Sequence, residues 1–207
     1  MDWEGVDDSS GFTFALKNEA LVDVRPVRPN DGQTIQNGMY ALSPKSRYFR
    51  FFSPINKLST EQLHYFTDID QHDHVAWIAL AHDLADQPGV GIVRFIRFPD
   101  QPHIAEFAVT VIDAYQKQGL GTLLMAVLYL MARKCGIELL RAFVLPENRV
   151  AMTWLEHLGA SAKFENDILQ MDIPVYADLS ISPMSPLLRH LRDCLPRMRP
   201  LCSRDRP

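Results

Sequence analysis

The sequence predicts a single domain of mixed α/β class. Three observations lead to this prediction. Apolar residues alternate in the middle of the chain, helix-period segments alternate with strand-like runs in its later half, and 47% of its 207 residues are hydrophobic. Such a length and apolar content are typical of one globular domain with a sizeable core. No internal repeat is visible in the sequence.

The first third of the chain predicts an acidic tail, one strand and several helices. Residues 1–20 carry four acids before the first base and show no clear period, which predicts a loose or weakly docked tail. Residues 21–27 alternate as a first strand does, and residues 31–73 are expected to form helices broken by turns. Ser59 or Thr60 is the expected N-cap of one of these helices.

The middle of the chain predicts three strands. Residues 75–81 form a short apolar run, and residues 89–98 alternate along a second run. A polar break at residues 99–102 then leads into a third run that ends at Ile112. Two short runs separated by such a break are typical of strands linked in a hairpin.

Helices and strands alternate in the remainder of the predicted domain. Residues 119–136 show a broad apolar helix face and end at a glycine, which is a frequent helix terminator. A strand over residues 138–145, a helix over residues 148–158 and strand-like residues 162–173 follow. The predicted domain therefore spans residues 21–173.

The C-terminal extension, residues 174–207, differs in character from the domain. Its pattern predicts a short amphipathic helix over residues 185–195, with Ser185 as cap and Pro196 as stop. We expect this helix to dock on the domain, with a basic tail behind it.

Charge, cysteine content and hydropathy exclude several classes of protein. A net charge of −4 does not favour a nucleic-acid partner, which would require a basic surplus. Three cysteines without a CxxC pair fit neither a disulfide framework nor a four-ligand zinc site. The N-terminus is acidic rather than signal-like, and residues 120–132 are too short to span a bilayer. We therefore expect a cytoplasmic protein with no membrane partner; the sequence does not indicate an oligomeric state.

The stretch QKQGLG places two glycines, Gly119 and Gly121, between a strand and a helix. A helix N-terminus exposes backbone N–H groups and positive partial charge, and glycine lets an anion approach them closely. The tripeptide alone fits a tight strand–helix turn equally well. A dinucleotide-binding turn would need a third glycine where Leu124 stands, and the Gly-Lys-Ser/Thr of a phosphate-binding NTPase loop is absent.

QKQGLG resembles the Q/R-x-x-G-x-G/A motif of the GNAT acetyltransferase superfamily, and ENRVAMTWLEHLGA is similar to that family's later N-x-x-A/M…LG segment. The resemblance covers about residues 21–173 and is strongest to the bacterial protein lysine acetyltransferases of the Pat type, in a stand-alone form. It implies a mostly antiparallel central sheet flanked by helices. It also implies transfer of acetyl from acetyl-CoA to an amine, with a protein lysine as the preferred acceptor.

The resemblance also implies which residues hold the cosubstrate. Asn148 matches an asparagine that contacts the cofactor arm in many relatives, although it is equally suited to be the N-cap of its helix. The loop that would bind the pyrophosphate comprises Gln116, Lys117, Gln118, Gly119, Leu120, Gly121 and Thr122.

Glu106 is the candidate catalytic base. It lies on the small, partly polar side of its strand, and an extended cofactor arm passing Val109 and Val111 would bring its thioester toward this carboxylate. An ammonium must lose a proton before its nitrogen can attack, and a partly desolvated carboxylate suits that task. The Pat-type resemblance implies the same role. The structural alternative is an ion pair with Arg94 or Arg97 across the hairpin.

Many relatives carry a tyrosine as general acid where this chain has Leu155. Solvent, backbone N–H groups, Tyr115 or Tyr129 would have to act instead. The run DIDQHDH at residues 68–74 contains three acids and two histidines, but such a run is more typical of a solvated loop than of a metal site. We expect no bound metal, although its acids could attract a basic, lysine-bearing surface.

Two alternatives to protein lysine acetylation remain open from the sequence. The same reaction could act on a small amine or amino acid, because fold and cofactor site do not identify the acceptor. The missing tyrosine would also fit a non-catalytic module that binds acyl-CoA.

Overall fold

The computed structural model describes residues 10–177, 187, 189, 193 and 198–201. Nine strands of this part of the chain form one sheet: β1 (Phe12–Ala15), β2 (Leu21–Pro26), β3 (His74–Ala81), β4 (Gly89–Phe98), β5 (Gln101–Val111), β6 (Leu139–Val144), β7 (Ser161–Glu165), β8 (Ile168–Pro174) and β9 (Arg199–Pro200). Their order is β7-β8-β6-β5-β4-β3-β2-β1-β9, and every neighbouring pair is antiparallel except β5 and β6. The predicted mixed, mostly antiparallel sheet is therefore confirmed.

Helices cover both faces of this sheet. The five α-helices of the described chain are α1 (Gly32–Ala41), α2 (Pro44–Phe51), α3 (Thr60–Thr67), α4 (Leu120–Lys134) and α5 (Arg149–His157). Helix α4 packs against β3, β4 and β5 on one face, whereas α1 packs against β4 and α3 on the other. Ser59 caps α3 as predicted, because its hydroxyl accepts from the Gln62 amide at 3.1 Å.

Alternation along the central strands separates the two faces. Trp77, Val93 and Phe107 belong to the large apolar core under α4. Ile78 and Ile92 point the other way and pack with residues of α1. Phe107, Val109 and Val111 share one apolar face of β5, since both valines pack against the same core as Phe107.

Helix α4 is enclosed on nearly every side. Eleven of its fifteen residues are buried, more than a single apolar stripe facing one sheet would provide. Leu187, from the C-terminal part of the chain, is fully buried in the same core. The helix ends before Gly136, whose φ of 72° is the left-handed conformation expected after a helix C-terminus.

The prediction of a loose tail over residues 1–20 is wrong for residues 12–15. These residues form β1, which pairs with β2 and β9, and Phe12 and Phe14 are buried in the core. The alternation Phe-Thr-Phe-Ala supplies two apolar side chains to one face of the sheet. The folded unit thus begins before the predicted boundary at residue 21.

The C-terminal extension also contributes to the folded unit, through β9 and Leu187. Most of the predicted helix over residues 185–195 lies outside the described residues, although residues 187, 189 and 193 are helical. No helix within the described ranges is long and apolar enough to cross a membrane.

Candidate active site

The turn between β5 and α4 requires glycine at one of its two glycine positions. Gly119 is the N-cap of α4 and has a φ of 92°, a conformation in which any side chain would be strained. Gly121 has no such requirement. A Cβ there would lie 3.5 Å from Trp154 and 3.9 Å from Val111, which are ordinary van der Waals distances. Neither the backbone nor the neighbouring side chains explain why residue 121 is glycine.

The N-terminus of α4 has no side-chain cap. The first N–H groups of a helix lack intrahelical partners, and here no side-chain cap from the described residues accepts from them. Helix α4 is fifteen residues long, so its dipole adds positive partial charge at this end. The turn therefore presents free backbone donors that suit a phosphate group.

The side chains of several predicted loop residues are held by other parts of the protein. Gln116 donates its Nε2 to the Val111 carbonyl at 3.1 Å, and Gln118 donates to the Ala114 carbonyl at 3.0 Å, so both side chains brace the turn. Leu120 is fully buried in the core. The Thr122 hydroxyl accepts from the Trp154 indole at 3.2 Å, and the Lys117 side chain is exposed.

Lys17 lies beside this turn, and sequence analysis missed it because residues 1–20 gave no structural pattern. Its backbone N–H donates to the Gln118 carbonyl at 3.2 Å. Its Cε would be 3.7 Å from a Cβ placed on Gly119. The segment between β1 and β2 thus brings a cation to the glycine turn.

Strands β5 and β6 separate along most of their length. Within the described residues they pair in parallel only from Ile104 to Glu106 of β5. No described residue of β6 pairs with any other residue of β5. The Ile112 N–H donates to Val90 on the β4 side. Because backbone directions alternate along a strand, the N–H and C=O groups of Val109 and Val111 point to the opposite, open side, where the Val111 C=O already accepts from Gln116.

Glu106 lies where this opening begins. It pairs with Ile96 of β4 and Arg141 of β6, and its side chain forms no ion pair or hydrogen bond with the described residues. The predicted alternative, a pair with Arg94 or Arg97, is wrong: Arg97 bonds to Asp73 at 2.7 Å, and Arg94 bonds to His74.

The environment of Glu106 favours a protonated carboxyl more than water does. Burial by the surrounding protein raises its pKa above the ordinary value, and the nearby Arg50 guanidinium partly opposes that rise. The side chain still reaches solvent. A carboxylate with a raised pKa and an open approach can accept a proton from a bound amine.

An open cavity lies under α1, α2 and α3, on the same face of the sheet as Glu106. Its lining is mainly apolar, but Arg50 and Arg94 also face it. Arg94 is only 5% exposed, lies 4.2 Å from the Phe66 ring centroid, and donates to His74 Nε2 at 3.1 Å. Burial, with the Arg50 charge as a second cause, lowers the pKa of Arg94 to about 9.

His74 is neutral near pH 7. Burial and then the Arg94 charge lower its pKa from 6.5 to about 4. Because a guanidinium has no acceptor, His74 Nε2 must accept the bond from Arg94, and its lone pair is already used. His74 is therefore a poor substitute for Glu106 as a base.

The helix after β6 has a capping asparagine and no tyrosine directed into the opening. Asn148 caps α5, since its side-chain oxygen accepts from the Ala151 amide at 3.3 Å. Leu155 is 3% exposed in the core, and the Tyr129 hydroxyl, also buried, accepts from the Tyr176 amide at 2.9 Å. Tyr115 is partly buried against the same core.

The acids of the 68–74 loop maintain the loop itself. Asp70 accepts from three backbone amides, of His72, Asp73 and His74, at 2.8–2.9 Å. Burial alone would raise the pKa of Asp70, but these bonds outweigh it and lower the pKa. Across residues 10–177 and the described C-terminal positions, no group of His, Cys, Asp and Glu is arranged to hold a metal ion.

Comparison with known proteins agrees with this geometry. Residues 38–160 match the acetyltransferase (GNAT) family model. The chain is 31% identical to acetyltransferase Pat of Mycolicibacterium smegmatis over 82% of its own length. It superposes on the GNAT domain of S. lividans PAT with a TM-score of 0.72 and 27% identity, covering 78% of this chain and 95% of that one.

The chain therefore belongs to the acetyltransferase (GNAT) family, whose members are acyltransferases, and its resemblance to Pat-type members is confirmed. It spans 50% of the length of the Mycolicibacterium relative. A more distant structure, yncA of Salmonella typhimurium, was solved with its cofactor acetyl-CoA. It shares the fold at a TM-score of 0.60 and 16% identity, covering 78% of this chain and 97% of that one.

Proposed function

We propose that this chain transfers the acetyl group of acetyl-CoA directly to an amine, and that the preferred acceptor is a protein lysine side chain. One observation carries the proposal. Strand β5 has an open edge with an uncapped helix N-terminus at one end and the unpaired Glu106 at the other. Glu106 and Ile112 are six residues apart, roughly 20 Å along an extended strand.

The residues present fit acetyl-CoA. The amides of Gly119, Leu120 and Gly121 would hold the pyrophosphate, with Lys17 and Lys117 adding positive charge. The open-edge backbone of β5 would hold the arm, and Asn148 would contact it. Acetyl-CoA supplies an activated acetyl group as a thioester. The family membership and the acetyl-CoA-bound structural relative support this assignment.

Glu106 would prepare the acceptor. Its carboxylate takes a proton from the bound ammonium, which leaves a lone pair on the nitrogen for the attack. The raised pKa of Glu106 makes this transfer easier than for an ordinary carboxylate. Since Leu155 and Tyr129 are buried in the core, solvent in the opening would protonate the departing thiolate.

The surface around the cavity supports a protein acceptor. Four aromatic side chains of the α1–α3 region are at least 40% exposed, a composition typical of protein-binding surfaces: Tyr40, Tyr48, Phe52 and Tyr65. The cavity is also concave and mainly apolar with a few polar groups, as small-molecule sites are, which supports a free amine or amino acid as the second candidate. Free Cys135 fits the reducing cytoplasm in which we place the reaction.

Acetyl transfer from labelled acetyl-CoA tests the proposal. The full chain is incubated in parallel with a cell lysate and with a panel of free amines and amino acids. Label in precipitated protein, released only by peptide hydrolysis, supports a lysine acceptor, and label confined to a free amine supports the second candidate. Absence of transfer in both arms, with no binding of acetyl-CoA by calorimetry, would contradict the proposal.

A further inference from the structure

Two guanidinium groups, those of Arg50 and Arg94, line the cavity beside the single carboxylate of Glu106. Neither Arg50 nor Arg94 forms an ion pair within the described part of the chain. Their own elements offer no acid either, since the charged residues of α2 and of β4 are all basic. Both arginines contact aromatic rings, Arg94 that of Phe66 at 4.2 Å and Arg50 that of Phe51 at 5.0 Å.

This arrangement differs from that of three other partly buried arginines on or beside the sheet, although Arg28, Arg47 and Arg133 also form no ion pair among the described residues. Arg25, Arg97 and Arg141 each meet an aspartate at 2.7–2.9 Å. A buried charge without a partner of opposite sign costs several kcal/mol. The Phe66 ring and the neutral His74 offset part of that cost for Arg94, but neither supplies negative charge.

The local charge balance is also unfavourable for an approaching ammonium. Arg94 pairs with Ala108 and Glu106 pairs with Ile96, so Arg94 and Glu106 are diagonal neighbours on one face, roughly 7–8 Å apart. Arg50 faces Glu106 closely enough to influence its ionisation. Two cations thus accompany one carboxylate, and the amine that the base must receive is itself cationic.

The position of Arg50 is fixed by the fold. Asp113, just after β5, accepts from the Ser43 amide and hydroxyl at 2.9 Å and from the Ser46 hydroxyl at 3.0 Å. These bonds attach the start of α2 to the end of β5. Helix α2 therefore holds Arg50 over the cavity, so that both guanidinium groups are in place before a ligand binds.

We propose that the acceptor carries a carboxylate close to its amine, and that Arg50 and Arg94 bind this carboxylate while Glu106 receives the amine. The inference rests on the proposed acetyl transfer and deepens it. A guanidinium matches a carboxylate through two parallel hydrogen bonds, and a ligand carboxylate supplies the missing negative charge. The apolar lining accommodates the aliphatic segment between the two groups. The carboxylate comes either from an acidic side chain near the acceptor lysine or from a free amino acid.

Matched acceptors distinguish these sources. One arm compares two lysine peptides that differ only in glutamate or glutamine beside the lysine. The other arm compares free lysine with lysinamide. In one of the two arms, we expect kcat/KM to be at least tenfold higher for the acceptor with the carboxylate than for its neutral counterpart, about 1.4 kcal/mol. The arm that shows this preference identifies where the carboxylate comes from. Equal kcat/KM within both pairs would overturn the inference while leaving the acetyl transfer itself established.

Variants assign the preference to the two arginines. Arg50→Gln and Arg94→Gln should bring the ratio of acid to neutral acceptor close to one, with acetyl-CoA affinity unchanged. Arg133→Gln makes the same charge change on α4, outside the cavity, and should keep the wild-type ratio. Because Arg94 is buried, circular dichroism must show that its variant is folded; Arg50→Gln provides the same test at a less buried position.

A binding measurement is independent of catalysis. Hexanoate and hexanamide have the same apolar chain and differ in the carboxylate. Calorimetry without acetyl-CoA should show hexanoate binding to the wild type and to Arg133→Gln, and at least tenfold weaker binding to Arg50→Gln. Equal binding of hexanoate and hexanamide would overturn the arginine site even if the chain acetylated no acceptor. Hexanoate binding without any preference among acceptors would overturn the acceptor assignment.

Discussion

At the scale of single residues, the acids around the opening behave in two opposite ways. Asp73 bonds to Arg97, which lowers its pKa, and the hydrogen bonds from Ser43 and Ser46 outweigh burial and lower the pKa of Asp113. Glu106 has no such partner, and burial raises its pKa. The paired acids stay ionised and stabilise the fold through their bonds, whereas the carboxylate of Glu106 remains available to accept a proton.

We predict that Glu106→Gln lowers kcat by about 10²–10⁴-fold, the usual range for losing a general base. Acetyl-CoA affinity by calorimetry should barely change, because the glycine turn and the open edge of β5 are intact. Wild-type kcat should fall as the pH drops through the raised pKa of Glu106, since protonation removes the base. The pH profile of the variant should lack this fall.

The matched control for this variant is Glu165→Gln, which makes the same change at an acid that pairs with Lys163 on the distant strand β7. Its kcat and pH profile should match the wild type. Near-full turnover by Glu106→Gln at neutral pH and saturating substrates would assign Glu106 a structural role.

His74 predicts a pH dependence of folding. Its pKa is about 4 in the folded chain and 6.5 when unfolded, so between these values the unfolded state binds the proton and the folded state does not. The free energy of unfolding should therefore fall as the pH drops from about 6.5 to about 4, by at most about 3 kcal/mol. His74→Gln keeps an acceptor for Arg94 and should remove this part of the slope.

Urea unfolding at several pH values measures the effect of His74→Gln. His103→Gln replaces an exposed histidine and serves as the control, for which the curve should follow the wild type. A wild-type slope that persists unchanged in His74→Gln would show that other groups cause it.

At the scale of elements, the N-terminus of α4 allows the two glycines to be tested separately. Gly121→Val introduces no backbone strain, and its Cβ would meet only ordinary contacts, so the fold should survive. Its side chain would nevertheless hold a phosphate away from the amides, and acetyl-CoA affinity should fall tenfold or more, about 1.4 kcal/mol per factor of ten. Gly119→Val should also lose about 1–2 kcal/mol of stability, because its φ is positive.

Calorimetry with acetyl-CoA and thermal unfolding measure these two effects. Gly32→Val is the control, since residue 32 has an ordinary φ and open space around its Cβ. Unchanged affinity in Gly121→Val and Gly119→Val together would place the pyrophosphate elsewhere.

At the scale of the whole molecule, the sequence predicted features that depend on neighbours in the chain. The hairpin of β4 and β5, the glycine turn and the direction of Glu106 all follow from local alternation and turn residues. The contact of Arg50 with the surroundings of Glu106 joins segments more than fifty residues apart, and no periodicity encodes it. Strand β1 was missed because four residues are too few to establish a period beside an acidic segment.

Strands β1 and β9 nevertheless form one edge of the sheet. Loss of a buried side chain from β1 should therefore lower the free energy of unfolding strongly. Phe12 is fully buried and lies 6.5 Å from Trp77 between ring centroids. Phe12→Ala should destabilise the whole domain by about 3–5 kcal/mol through lost burial and a residual cavity. Phe164→Ala makes the same change at a residue that is 61% exposed on β7, and should cost less than about 1 kcal/mol. Chemical denaturation measures both variants, and equal stability of the two would show that residues 12–15 are the loose tail that the sequence predicted.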